Sequence, residues 1–454
     1  MKKILSLLAV FAMCISCFSC DDDKDEDDIS ETVSDSENTV DSGDTVVEQQ
    51  FREFEESDFQ TLNVPLTFTE EEAPVTLNKF EIPELDFGKR IAPCKKSDDP
   101  SQFDPIAQHP YTWTDENGVE HKSESTYMKL LDTPEDGMLT TASFFDNKVY
   151  LNVTFDNFCI GCHEWSVYEY DMEKMDMREI YKYSGISNEY ATGFWVSPVL
   201  GNDDKMMMSG YKIDEPEKNV LISVDRETGE EKVVYESDSY INITNSRNGI
   251  LMAETENINN SASRLRLTIN EYDTDTGELR NIADKVETKM YHFVGSELNA
   301  YLMKPLDSRK CRLVTEHYSI GTDITNGNVV YASDKKAIMY EGNCEVLHTF
   351  DLEKMEHYVT ELGEKSGQIA ACGENLILGD SFSSRDDVTN IYYIIPDIGL
   401  VFTLAENISA DIFKTNGDTV TFSSCKEEIM SLDEDDSFQR DYSKPTAVYW
   451  VTEQ

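Results

Sequence analysis

The chain has 454 residues, with 89 acidic side chains against 39 basic ones and a formal net charge of -50. Hydrophobic residues make up 39% and aromatics 10%, which is material for a large core and excludes a wholly disordered chain. That charge argues against nucleic acid and anionic lipid surfaces as partners, because both require counter-charge from Lys and Arg.

Lys2 and Lys3 form a basic start, and Ile4 to Ile15 an apolar run of about twelve residues. Such a run is too short for a membrane-spanning helix and has the length of a signal-peptide core. Cys14, Cys17 and Cys20 follow, with Ser16 and Ser19 before the last two. A small residue before a cysteine at this place resembles the lipobox of bacterial lipoproteins, although Cys17 and Phe18 stand where that box carries Leu and a small residue. The resemblance implies that Cys20, or alternatively Cys17, becomes the lipidated first residue and anchors the protein to a membrane. A plain secreted protein is the other reading.

Residues 21–60 carry seventeen Asp or Glu against Lys24 and Arg52. With almost no large apolar side chain before Phe51, this stretch is expected to be a disordered tether spanning roughly 35 Å. The run Asp21-Asp22-Asp23 resembles the acidic export signal of surface lipoproteins in Bacteroidota. It implies an envelope protein facing the periplasm or the cell surface.

Residues 61–137 hold strand candidates at Thr61 to Thr69 and Val75 to Ile82, one of which is expected to close a ring against the last repeat. Pro65 confines the first to an edge. Tyr111 to Lys122, with Asn117-Gly118 at its centre, reads as a hairpin.

From 138 to 454 short runs rich in Val, Ile, Tyr, Phe and Thr alternate with Asn, Gly and Asp turns, a pattern of all-β structure. Two kinds of turn recur in fixed phase. One precedes an apolar strand, at Asn147, Asp203, Asn248, Gly327 and Glu374. The other follows a strand and begins with Asp171, Asp225, Asp273, Asp351 or Asp397, 22 to 25 residues further on. Constant phase within a longer period means one four-stranded unit repeated, and a β-propeller is the architecture that buries both faces of such sheets. Six units stand out. Residues 289–320 make a degenerate seventh, so seven blades are expected and six are the alternative.

The segments Val224 to Glu230 and Tyr272 to Glu278, with Gly229 and Gly277 at the same step, resemble turns of the Tol-associated periplasmic propeller and of quinone-dependent dehydrogenases. The resemblance implies a propeller that binds. It does not extend to the quinone, because Val233 and Asn281 stand where those enzymes place Trp.

Cys159-Ile-Gly-Cys162-His163 has the form of a c-type haem attachment motif, in which two thiols bond the vinyl groups and the histidine ligates iron. A local disulfide, free thiols, or a metal site are the other readings, and the absence of helical apolar surroundings favours disulfide or thiols. Beyond Cys20 there are seven cysteines, an odd number that leaves one unpaired or pairing between molecules. Asp273-Thr-Asp275-Thr-Gly277 begins like a calcium loop, but its glycine comes one residue early and Asp284 stands where a bidentate Glu is required, so it reads as a β-turn; no cofactor is expected, with weak calcium binding by the acidic turns and haem c as the alternatives. No nucleophile and base pair stands out, and no catalytic residue is assigned. The sequence thus leads to a monomeric, lipid-anchored, extracytoplasmic propeller that binds a protein or cell-surface ligand. A haem redox protein is the first alternative and a propeller hydrolase the second.

Overall fold

A computed structural model describes residues 51–90, 111–114, 120–123, 135–145, 147–155, 164–184, 190–192, 199–200, 205–212, 218–258, 264–342, 344–363, 367–380, 389–408, 410–416, 419–431 and 439–453. The chain divides into two compact units, Met1–Arg52 and Glu53–Gln454, and almost all described residues belong to the second. None of the described residues forms a helix long and apolar enough to cross a membrane.

The second unit is an all-β propeller whose sheets follow one another in chain order. The first sheet takes Met138–Phe145, Lys148–Thr154, Glu164–Asp171 and Asp176–Ser184 as an antiparallel meander. The second is built on Lys205–Lys212, Asn219–Asp225 and Glu231–Ser237. The third has eight strands, because the long strand Leu279–Gly295 serves two sets of partners. It pairs backwards with Leu265–Asp273 up to Thr288, then slips register and pairs forwards with Asn299–Pro305. The fourth runs from Gly327–Ala332 to Glu356–Glu361, the fifth from Gly367–Cys372 to Leu400–Ile408, and the sixth takes Ala410–Asn416, Thr419–Ser431 and Gln439–Glu453.

Both faces of each sheet are packed, which explains why the inner strands are unbroken apolar runs. In Met206-Met207-Met208 successive side chains point to opposite faces. Met206 and Met208 meet Trp165 and Val167 of the first sheet, whereas Met207 meets Ile241 and Ile250 of the third. Equivalent clusters join the two halves of the eight-stranded sheet, then its second half to the fourth sheet, the fourth to the fifth, and the fifth to the sixth. The last cluster closes the ring: Val448 of the sixth sheet packs with Val149 and Leu151 of the first, and Trp450 stacks on Phe144 at 4.0 Å.

The N-terminal segment runs as a strap along the outer edges. Its strands β1 (Arg52–Glu55), β2 (Gln60–Asn63), β3 (Thr67–Thr69) and β4 (Val75–Glu81) join the third, fourth, fifth and sixth sheets in turn. β2 and β3 are parallel to their partners, and β4 lies antiparallel to Gln439–Glu453. The stretch assigned to the tether therefore ends before residue 60. Phe59 is buried, edge-on to Phe350, and gives this stretch the apolar anchor that its acidic composition conceals. Nor is Thr61 to Thr69 one strand. It changes sheets at Val64-Pro65-Leu66, where the proline has no N–H to give a ladder. Val64 N–H donates to the Val359 carbonyl and Thr67 N–H to that of Gly399.

Candidate functional site

The Asp-led turns share one local geometry. Asp171 Oδ1 accepts from the N–H groups of Glu173 and Lys174, Asp225 Oδ1 from those of Glu227 and Thr228, and Asp273 Oδ1 from those of Asp275 and Thr276. Asp351 repeats this with Glu353 and Lys354. Each aspartate thus satisfies two amides that the turn leaves without strand partners. Hydrogen bonds hold the Asp225 and Asp273 carboxyls below the usual carboxylate range, first of all that from the backbone N–H of Thr228 and of Thr276 respectively. Gly229 and Gly277, at φ 72° and 75°, take the left-handed step that closes the turn. Asp397 sits in the shorter turn ahead of Gly399 and pairs with Lys336 Nζ at 2.9 Å.

Cys159, Cys162 and His163 lie outside the described residues, as do Cys17 and Cys20. The two feet of the connection that carries the Cys-x-x-Cys-His motif are described. Phe155 N–H donates to the Glu164 carbonyl at 3.1 Å, which clamps the connection at its base. Phe155 and Glu164 are both buried. Over the Phe155 ring, 4.3 Å from its centre, lies the guanidinium of Arg90. Arg90 comes from the two-residue strand Lys89–Arg90, paired antiparallel with Glu135–Asp136.

Arg90 gathers the polar groups of the first sheet. Its Nη1 donates to Ser166 Oγ at 2.8 Å, and its Nη2 to Tyr168 Oη at 3.1 Å and Glu179 Oε1 at 2.5 Å. Glu164 Oε1 lies 3.4 Å from Nη1 and 3.2 Å from Lys182 Nζ. Ser166 Oγ donates to Glu179 Oε1 at 2.5 Å. Burial pushes the Tyr168 hydroxyl up to about 12, so it stays a neutral partner. Each carboxylate here already has a cation, and Ser166, with no exposed surface, cannot meet a substrate. The cluster is a set of mutually paired groups beside Phe155 and Glu164.

Two further charge clusters repeat one another. Glu169 and Glu271 each sit two residues before a turn aspartate and are nearly fully buried. Each meets the arginine nine residues later. Arg178 Nη2 lies 3.0 Å from Glu169 Oε1, and Arg280 Nε donates to Glu271 Oε2 at 3.0 Å. Lys148 adds a second cation to Glu169, and Asn299 a hydrogen bond to Glu271 at 2.9 Å. Burial would raise both carboxyls, but these bonds outweigh it and hold both below the usual range. The repeated Glu-Tyr-Asp at 169–171 and 271–273, followed by Arg178 and Arg280, is the sequence signal that would have exposed both clusters. Arg90 has no such signal. Among the described residues no three His, Cys, Asp or Glu side chains gather as a metal site. Cys311 is a buried thiol, and Cys344 and Cys372 are buried as well.

No family model matches the chain, and no curated protein matches it in sequence. Solved structures with a similar arrangement of strands include the β-propeller domain of the Trilobed protease from Pyrococcus furiosus, at 11% identity and a TM-score of 0.45 over 68% of this chain and 96% of that one. Oligogalacturonate lyase from Vibrio parahaemolyticus is matched at 14% identity and a TM-score of 0.39, over 76% and 97% of the two chains. Acylaminoacyl peptidase, in complex with Z-Gly-Gly-Phe-chloromethyl ketone, is matched at 12% identity and a TM-score of 0.43 over 68% of this chain. The match spans about half (52%) of the peptidase's own length. Likeness at this level transfers no activity to this chain.

Proposed function

We propose that the protein is a lipid-anchored β-propeller of the bacterial cell envelope that displays a rigid binding surface to a protein or cell-surface ligand. The observation that carries this reading is the strap. A chain that follows an export-signal-like start and an acidic stretch is then laid along the outer edges of the third to sixth sheets in succession. Its last strand, β4, supplies the outer strand of the sheet that closes the ring. Load from a tether is thereby spread over several strand pairs, which suits a ring held away from a membrane. We count seven blades, with Leu279–Gly295 as the outer strand of one and the inner strand of the next. Binding is assigned to connections between strands, because a rigid scaffold with variable loops is how propellers place function.

Acylation is tested by fatty-acid labelling and membrane fractionation of the exported protein, comparing Cys20→Ala and Cys17→Ala with the parent. Loss of label and release from the membrane in Cys20→Ala alone is the expected result. Label retained in both variants would remove the anchor from the reading. Crosslinking from the exported protein in intact cells then tests binding, and a panel without any specific adduct would count against a display role.

A further inference from the structure

Beneath the strap, four ionisable side chains form a row across the fourth sheet. Glu341 ends Lys336–Glu341, His348 lies in Val346–Asp351, His357 lies in Glu356–Glu361, and Glu56 belongs to the 3-10 turn Glu56–Asp58 of the strap. His348 Nδ1 and His357 Nε2 are 3.1 Å apart, so one ring donates to the other. At the ends of the row, Glu341 Oε2 is 3.7 Å from His348 Nε2 and Glu56 Oε1 is 3.5 Å from His357 Nδ1. Neither contact counts as a hydrogen bond, and both of these ring nitrogens lack one. His357 has no exposed surface and stacks on Phe350 at 4.1 Å, while Phe59 of the strap packs edge-on against the same phenylalanine. Glu56 is also fixed to the ring by accepting from the Asp323 N–H at 2.6 Å.

We propose that this buried histidine pair is an acid-operated latch, whose protonation frees strap residues 53–69 while the ring stays folded. Two neutral rings sharing one hydrogen bond are compatible with a dry site. A proton added to the pair brings a charge that, among the described residues, faces Glu341, from the inner neighbouring strand, and Glu56, from the strap. Glu356, on the strand of His357, is occupied by the Tyr358 hydroxyl. Burial holds both rings below the ordinary histidine range, His357 at about 4, and at His348 it outweighs Glu341 and Glu56. With the strap lifted, His357 meets water and titrates near its usual value of about 6.5. Opening therefore takes up protons between about pH 6.5 and pH 4 and is favoured as pH falls through that window. The strap rather than the ring gives way, because β2 and β3 are edge strands of four and three residues that are mostly exposed. The inference rests on strap geometry and is independent of acylation.

Amide exchange on the full chain, followed by mass spectrometry from about pH 7 to about 4.5 and corrected for intrinsic rates, tests the latch. The opening constant of segments within 53–69 is expected to rise about tenfold per pH unit for each histidine that titrates, below about pH 6.5. Protection in the central strand Gly249–Asn257 should hold. Strap protection that is flat with pH, or that falls in step with the central strand, would overturn the proposal. His357→Gln should reduce the dependence by at least the share of one histidine, and an unchanged slope in a folded variant would overturn the latch. If that variant misfolds, ring titration of His357 by NMR in the parent protein decides: protonation near pH 6.5 with the strap still protected would overturn the latch.

Discussion

Met175 and Gly229 occupy the same left-handed step of two equivalent turns, at φ 52° and φ 72°, each four residues after the turn aspartate. Gly277 and Met355 fill that step in two more, at φ 75° and φ 55°. The turn geometry is thus kept by Asp171, Asp225, Asp273 and Asp351 even where the residue is sterically wrong. A side chain in this conformation costs roughly 1 to 2 kcal/mol, while glycine loses about 0.5 to 1 kcal/mol through the freedom of the unfolded chain. Met175 is 74% exposed and has little packing to forfeit. Met175→Gly should therefore gain about 0.5 kcal/mol, seen as a higher urea midpoint. Met355→Gly should gain less, because Met355 packs against the core between the third and fourth sheets. Gly229→Ala should lose about 1 kcal/mol.

Removal of Arg90 takes one cation from the buried Glu164 and one partner from the exposed Glu179. Glu179 loses its bond from Nη2, and Glu164 keeps only Lys182. Arg90→Ala is expected to cost about 1 to 3 kcal/mol in chemical denaturation. Arg90→Lys should recover only part of that, since a single ammonium cannot reach Ser166, Tyr168 and Glu179 together. Full recovery by lysine would show that charge alone matters at the base of the Cys159 to His163 connection.

Acid should destabilise the protein in two windows. Burial brings His292 down to about 4, and its Nδ1 has no hydrogen-bond partner. The folded ring stays neutral while the unfolded one protonates near 6.5, so its contribution is present above about pH 6.5 and drains away as pH falls to about 4. His292→Leu should flatten the stability profile across that window, by on the order of 3 kcal/mol at most. Glu169, depressed in the fold, contributes above the ordinary carboxylate value and loses that contribution only at lower pH. Glu169→Gln should therefore change the profile below about pH 4.5 and leave the higher window as it was. Denaturation at about pH 7, 5.5 and 4 separates the two.

Burial pushes the Cys311 thiol up to about 11, and Cys311 is 2% exposed. Iodoacetamide at about pH 8 should leave it unmodified in the native protein and alkylate it in urea, because the thiolate is the nucleophile. In the same experiment a non-reducing intact mass of the exported protein shows whether Cys159 and Cys162 carry a haem-sized increment. Such an increment, lost in Cys159→Ala, would replace the display reading by an electron carrier. A mass short by pairs of hydrogens would make these cysteines structural.

The features that the sequence made legible are local ones. An aspartate that bonds the amides two and three residues ahead of it leaves a mark within six positions, so the phase of Asp171, Asp225, Asp273 and Asp351 could be read directly. An apolar run such as Met206-Met207-Met208 likewise declares a strand packed on both sides. Strand candidates at Thr61 to Thr69 and Val75 to Ile82 were legible, but the course of the strap was not, because its pairings join residues some 300 positions apart, as Thr61 with His357 and Phe68 with Val401. The short strands β2 and β3 are mostly exposed and carry too few apolar residues to mark their partners. Arg90 was hidden for the same reason, since its partners Ser166, Tyr168 and Glu179 are brought to it only by the finished first sheet. His348 and His357 sit diagonally across two strands, a relation that no helical or alternating period encodes.

The pairing of β4 with Gln439–Glu453 also sets an order of events during synthesis. Val75–Glu81 is made long before its partner Gln439–Glu453, which lies far along the chain. Until then the sixth sheet lacks its inner strands and the first sheet lacks the neighbour that Phe144 and Val149 require. β2 and β3 wait likewise for the fourth and fifth sheets. Contacts this distant in sequence are slow to form and leave apolar surface uncovered meanwhile. The ring can begin at any of the local meanders, but it closes only when Val75–Glu81 and Gln439–Glu453 are present together.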